Sequence, residues 1–450
     1  MNTIDKKVVT RFAPSPTGLL HLGTYRTAIF AYLYALQNKG KFILRIEDTD
    51  KQRSKKEYED NILDSLRWLD IKYDEMYRQS DLLDRHQFYL NKLIDEGKAY
   101  VSKEEAKDGS KTMKEVVRFK NPNISVTWND LIKGPVTFDT TDLKDFVIAK
   151  SLVEPLFHLA VVVDDFEESV THVIRGEDHT SNTPRQILIQ RAIGAPEPIY
   201  AHLPLVLAPD KLKLSKRRGA LPVTEYRERG YLKEAVLNGI VFVGWNPGTD
   251  KEIFSFSELV SDFSLDKVQK SPAVFNEEKF LWFNKEHLKL MNDEFILKQM
   301  KMVLPEDIKQ SDFFEKLVPV IRERISVLSD IKNMYTEGEL DFFISKPEIQ
   351  KDELLCPIKL RKGVDVSAQE IAGHLKRIIT ILEALDETDW ACEKIKDALW
   401  DYATEQGRGV VLWAMRYALS GREKSPDPFS IAYILGKEET ISRIKYAAHI

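Results

Sequence analysis

Two short stretches of the chain carry side chains suited to handling a polyphosphate. The first, VVTRFAPSPTGLLHLGT at residues 8–24, sets Arg11, Ser15 and His21 around Pro14, Pro16, Gly18 and Gly23. A histidine can hydrogen-bond a phosphoryl oxygen, and glycine lets a phosphate or a flat base come close to the backbone. The second, KLKLSKRRG at residues 211–219, sets five cations among nine residues. Ser215 and Gly219 suggest a loop able to fold Lys213, Lys216 and Arg217 over anionic oxygens. Alone, a His-x-Gly at a helix start is more often structural, and a lysine-rich loop is more often a solvated surface. Found on one chain, the two stretches point together to phosphoryl chemistry.

The elements that must hold these groups can be read nearby. A β-branched run at 8–12 predicts a buried strand, and Pro14, Pro16 and Gly18 predict a tight turn. Apolar Ile29, Phe30, Leu33 and Leu36 mark one face of a helix that starts near residue 20 and stops at Gly40. Strand, turn and helix start together aim unpaired N–H groups at an anion. A second strand at 42–46 delivers Glu47 at its carboxyl end, where open α/β sheets place ligands. Asp48 and Asp50 read as caps of a following helix through Tyr58, Ile62, Leu66 and Leu69. A strand at 171–174 leads to Arg175, Asp178 and His179, and Pro184 opens the next helix. Another strand at 202–207 precedes the lysine-rich loop, while His158, His172 and His202 read as structural. Two helical stretches split at Gly230 follow, and beyond residue 316 the pattern is helical, as at 314–328, 368–385 and 395–406.

HLGT at 21–24 and KLSKR at 213–217 resemble the two signature motifs of class I aminoacyl-tRNA synthetases, and PSPTGLLHLG at 14–23 resembles the bacterial glutamyl form of the first. Three further blocks are similar to that family and in its order: FILRIEDTD at 42–50, THVIRGEDH with NTPRQ at 171–186, and SPAVFN with KFLW at 271–282. The resemblance implies an α/β fold: a Rossmann-like class I synthetase catalytic domain with an inserted acceptor-binding domain, followed by an all-α anticodon-binding domain. The expected divisions are 1–99 and 189–245 for the two catalytic halves and 100–188 for the insert. A helical stem-contact domain at 246–315 and the anticodon-binding end at 316–450 would follow.

The resemblance also implies roles for individual residues. His21, Lys213 and Lys216 would be catalytic, and Pro14, Gly18, His21, Gly23, Asp178, Val206, Lys213, Ser215, Lys216 and Arg217 would hold ATP. Glutamate would meet Arg11, Ser15, Glu47, Phe157, Arg175 and His179. Arg175 is the candidate for the side-chain carboxylate, because a permanently charged guanidinium fork fits a carboxylate better than a neutral amide. The family usually carries a tyrosine where this chain has Phe157, and Thr24 stands where the general motif has a second histidine. Some relatives hold zinc in the insert through cysteines. This chain has only Cys356 and Cys392, read as buried thiols, so no structural zinc is expected.

Composition agrees with such an enzyme. The chain is 450 residues long, which predicts two or three domains, with 43% hydrophobic and 30% charged residues. Its formal charge of −5 neither advertises nor excludes binding to nucleic acid, which depends on local basic faces. No apolar run reaches membrane-spanning length and the first seven residues are too polar for a signal peptide, so a cytoplasmic address is expected. The expected substrates are ATP with Mg2+, L-glutamate and tRNA(Glu), with tRNA(Gln) as a second candidate, for a protein acting as a monomer.

Overall fold

The buried run behind the first motif forms β1 (Val9–Phe12), and the helix after the turn is α1 (Leu22–Gln37). A computed structural model describes residues 7–105, 113–214, 221–355 and 367–450. The chain divides into two compact units, 1–287 and 288–450. In the first, β1, β2 (Lys41–Ile46) and β3 (Glu75–Arg78) form a parallel sheet, with α2 (Lys56–Trp68) crossing between β2 and β3. All four residues of β1 are buried, and α1 buries ten residues, because both faces of a parallel sheet are covered. Gly40 closes α1 onto β1 tightly: a Cβ there would stand 2.3 Å from the Val8 carbonyl oxygen.

After α3 (Leu83–Asp95) the parallel pattern is interrupted. Strands β4 (Ala99–Glu105), β5 (Met113–Phe119), β8 (Phe146–Ser151) and β9 (Glu154–Pro155) form an antiparallel sheet in that order. Between them, β6 (Ser125–Asp130) and β7 (Gly134–Asp139) form a hairpin whose β6 edge pairs β11 (Ile199–Leu203), Tyr200 opposite Asp130. The parallel pattern resumes inside the range expected for the insert. Helix α4 (Phe157–Glu167) leads to β10 (His172–Gly176), which runs parallel to β11 with Arg175 opposite His202. Thr171 ties β10 to β1 by accepting from Val9 N at 2.8 Å.

Helix α5 (Thr183–Ile193) follows with a proline in its first turn. Pro204 interrupts the expected strand at 202–207, leaving β11 and a short β12 (Val206–Leu207), paired with β13 (Ala273–Val274). Helices α6 (Val223–Glu228) and α7 (Lys233–Val241) are split at Gly230, whose φ of 81° suits glycine. Helix α8 (Phe256–Asp262) carries a capping box from Ser255 and Glu258.

The second unit is all helical among its described residues, and the expected break at 316 falls within it, because the helix Asp293–Val303 packs on Val318–Arg324 and Asp330–Thr336. The later helices include Ala368–Glu383, Cys392–Gln406 and Arg408–Ser420. The expected helix at 314–328 is shorter, ending at Arg324. Cys392 is half-buried rather than buried, 3.7 Å from the Ser430 hydroxyl, and Cys356 lies outside the described residues.

Candidate active site

The carboxyl ends of β1, β10 and β11 and the start of α1 enclose a cavity of about 220 Å³. It is lined by Arg11, Pro14, His21, Gly23, Glu47, Phe157, Arg175, Asp178, His179, Val206 and Lys213, so these expected site residues do meet. Ser15 and Gly18 do not line it. Ser15 lines an adjoining cavity of about 890 Å³ that shares Glu47 and Phe157 with the first, because the turn through Pro16 carries it outward. Ser215, Lys216 and Arg217 lie outside the described residues.

His21 is the residue before the first turn of α1, and its carbonyl accepts from Thr24 and Tyr25 N–H. Gly23 serves the histidine rather than open space: a Cβ there would stand 3.1 Å from His21 Cε1 and 3.8 Å from Val206. The segment at 207–213 folds back as a tight turn, Ala208 N–H donating to the Leu212 carbonyl and Lys211 taking a φ of 62°. That turn brings Lys213 Nζ to 3.5 Å from Asp178 Oδ2, with the lysine largely exposed at the mouth. Pro222 forms an isolated β-bridge with His21.

Deeper in, three charged side chains are held from behind. The Arg11 Nε–H donates to Asp165 at 3.1 Å, and its charge also acts on Glu47. Glu47 accepts from Arg45 at 3.3 Å through one oxygen only. The Arg175 guanidinium donates to Gln186 at 2.7 Å, Thr183 at 2.8 Å and His202 at 3.2 Å, and lies over the Tyr200 ring. Three of its five N–H groups are used, leaving one on each terminal nitrogen. Burial lowers its pKa to about 10, so it stays cationic at neutral pH. Burial, reinforced by Arg175, lowers the His179 pKa to about 4, so this ring is neutral; it sits 5.9 Å from the Phe157 ring.

Sequence reasoning missed the layer beneath. Arg45, fully buried, donates to Glu168 at 2.7 Å and Asp165 at 2.8 Å, and Asp164 accepts from Gln79 while pairing with His86 at 2.6 Å. Asp164, Asp165 and Glu168 come from the end of α4, more than a hundred residues from Arg45, so only the acidic pair in EPLFHLAVVVDD at 154–165 hinted at them. Asp48 and Asp50 are structural as expected, but not as helix caps. The residue before α2 is Lys55; Asp48 instead accepts from Ser80 N–H and Oγ–H, and Asp50 closes a turn with Arg53.

Burial raises the Glu168 pKa from 4.5 to about 7 despite the Arg45 partner. The unfolded chain releases this proton near pH 4.5 while the folded one keeps it to about 7, so the group's contribution to stability falls as pH rises through that window, by up to about 3 kcal/mol. Glu168→Gln should therefore raise the melting temperature relative to the parent more at pH 8 than at pH 5. Thermal melts at the two pH values check this, and an equal difference at both would contradict it.

Similarity to known proteins extends over most of the chain. The family described as tRNA synthetases class I (E and Q), catalytic domain, matches residues 7–108 and 101–282, and the anticodon binding domain family matches residues 291–448. The chain is 37% identical over 475 residues to the glutamate–tRNA ligase of Francisella tularensis subsp. novicida, covering 98% of each. It is 37% identical over 474 residues to that of Thermodesulfovibrio yellowstonii, covering 97% of this chain and 98% of the relative. A crystal structure of a glutamate tRNA ligase from Elizabethkingia meningosepticum, in complex with its amino acid, matches with a TM-score of 0.81 at 34% identity, covering 99% of each chain.

Proposed function

Since the chain belongs to the class I tRNA synthetase family for glutamate and glutamine, we propose that it activates L-glutamate with ATP and transfers it to the 3′ end of tRNA(Glu). The observation that carries this reading is the meeting, in one cavity, of His21 and Lys213 at the mouth with Arg11, Glu47 and Arg175 in the depth. Arg175 offers two parallel N–H groups to the side-chain carboxylate, Glu47 accepts from the α-ammonium, and Arg11 holds the carboxylate end that reacts.

ATP enters as its magnesium complex. The α-carboxylate oxygen of glutamate attacks the α-phosphorus in line and pyrophosphate leaves; no protein nucleophile is needed. His21 stabilises the α-phosphoryl oxygens, while Lys213, with Lys216 and Arg217 of the same loop, offsets charge on the leaving pyrophosphate. In the second step a terminal ribose hydroxyl of the tRNA attacks the mixed anhydride and AMP leaves. The reading includes no structural zinc, supported by the lack of any cysteine before residue 356, and a monomeric cytoplasmic enzyme, as the family resemblance implies.

The test is ATP-dependent attachment of labelled glutamate to transcripts of tRNA(Glu) and tRNA(Gln), with His21→Ala as the companion. Labelling of tRNA(Glu) alone marks a discriminating enzyme, labelling of both a non-discriminating one, and labelling of neither refutes the reading. His21→Ala should slow ATP–pyrophosphate exchange by about 10²-fold or more through loss of a contact made to the transferring phosphoryl group. A parent and mutant that were equally inert would instead favour a tRNA-binding protein without catalysis.

A further inference from the structure

His202 was expected to be structural, yet it stands directly behind Arg175. The two residues face each other in the register of β10 and β11, and both are buried, as is Asp130 at the end of β6. His202 Nδ1 lies 2.5 Å from Asp130 Oδ2, and its Nε2 lies 3.2 Å from the Arg175 Nε–H and 3.1 Å from the Thr183 hydroxyl. We propose that Asp130 and His202 are positioning residues for the glutamate-binding guanidinium: Asp130 fixes the His202 tautomer so that Nε2 always accepts from Arg175. This rests on the reading of Arg175 given above.

Arg175 has only N–H groups, so whatever faces its Nε must accept. A neutral imidazole offers one acceptor nitrogen, and which one is set by the partner of the other. Asp130 cannot donate while ionised, so it selects the Nδ1–H form and leaves the Nε2 lone pair toward Arg175. Burial lowers the pKa of His202 even with Asp130 beside it, which keeps the ring neutral. Asp130 is itself fixed, its Oδ1 accepting from the N–H groups of Ile132 at 3.0 Å and Lys133 at 2.9 Å.

Those backbone donors give Asp130→Asn a defined outcome. Its amide oxygen must stay on the Ile132 and Lys133 N–H groups, which turns its NH2 toward His202 Nδ1. The ring then has to accept at Nδ1 and carry its proton on Nε2, donor against donor with Arg175. The KM for glutamate in ATP–pyrophosphate exchange should rise by about 10- to 100-fold, with the KM for ATP within about twofold, because the fork is misaimed while the phosphate end is untouched. Adding His202→Gln to Asp130→Asn should recover most of that loss, since a glutamine carbonyl accepts from Arg175 whatever occupies position 130; a merely structural role predicts that the double variant is worse.

Nitrogen-15 spectra of the histidines supply a reading independent of activity. In the parent, His202 should show a protonated Nδ1 and an unprotonated Nε2, and in Asp130→Asn the reverse. A parent His202 protonated at Nε2, or an unchanged glutamate KM in a folded Asp130→Asn, would overturn the proposal. If Asp130→Asn fails to fold, the parent spectrum and His202→Leu against His202→Gln decide it, only the first being expected to raise the glutamate KM. A parent without exchange activity would sink the functional reading, and the His202 spectrum would still decide the geometry.

Discussion

Arg175→Lys should lower kcat/KM for glutamate in ATP–pyrophosphate exchange by about 10²- to 10³-fold while the protein remains folded, since losing two charge-assisted hydrogen bonds costs about 3–4 kcal/mol. The lysine keeps a positive charge but not the fork. One ammonium on a flexible stem cannot serve Gln186, Thr183 and His202 together and still present two parallel donors to a carboxylate. Glutamine should gain nothing from the change, because removing the fork supplies no acceptor for an amide nitrogen. Exchange kinetics with both amino acids check this, alongside circular dichroism as a control on folding. A parental kcat/KM in the variant would show that the side-chain carboxylate is held elsewhere.

Arg45→Met should destabilise the catalytic unit by about 3–5 kcal/mol at pH 8, the cost of stripping a buried cation from its carboxylates. Glu168, Asp165 and Glu47 all lean on this guanidinium, at 2.7, 2.8 and 3.3 Å. Burial opposes ionisation of Asp165, and Arg11 and Arg45 together hold its pKa below the usual carboxylate value; for Glu47 burial outweighs both arginines and its pKa is raised. Without Arg45 all three folded-state values move up. A raised folded pKa yields stability at low pH that is lost as pH increases, so the deficit should shrink between pH 8 and pH 5. Denaturant midpoints at both pH values would reveal this. A deficit under about 1 kcal/mol at pH 8 would mean that water or relaxation takes over the role of Arg45.

The two arginines differ in legibility: Arg175 could be numbered in advance from its motif, whereas the partners of Arg45 could not. Local order was legible from the chain alone: β1 with its turn and α1, the helices either side of Gly230, and the helical character of the second unit. Each is set by short-range physics, such as apolar periodicity, a proline-fixed φ or a glycine at positive φ, and motif residues within a few positions of such elements could be numbered in advance. Phe157 could also be read there as an apolar residue at a site position, because its identity needs no partner.

What stands behind the site depends on packing between distant parts of the chain. Asp165 supports Arg11 across 154 positions, Asp130 reaches His202 across 72, and Arg45 meets Glu168 across 123. Such pairings depend on strand register and on which helix covers the sheet, and a register shift of one residue would send each strand side chain to the opposite face. Asp48 shows the same limit from the other side: spacing favoured a helix cap, and the turn after β3 offered Ser80 two hydrogen bonds nearer. A buried charge is stable only where the fold collects enough partners to replace water, and that collection is a property of the packed chain, not of any segment of it.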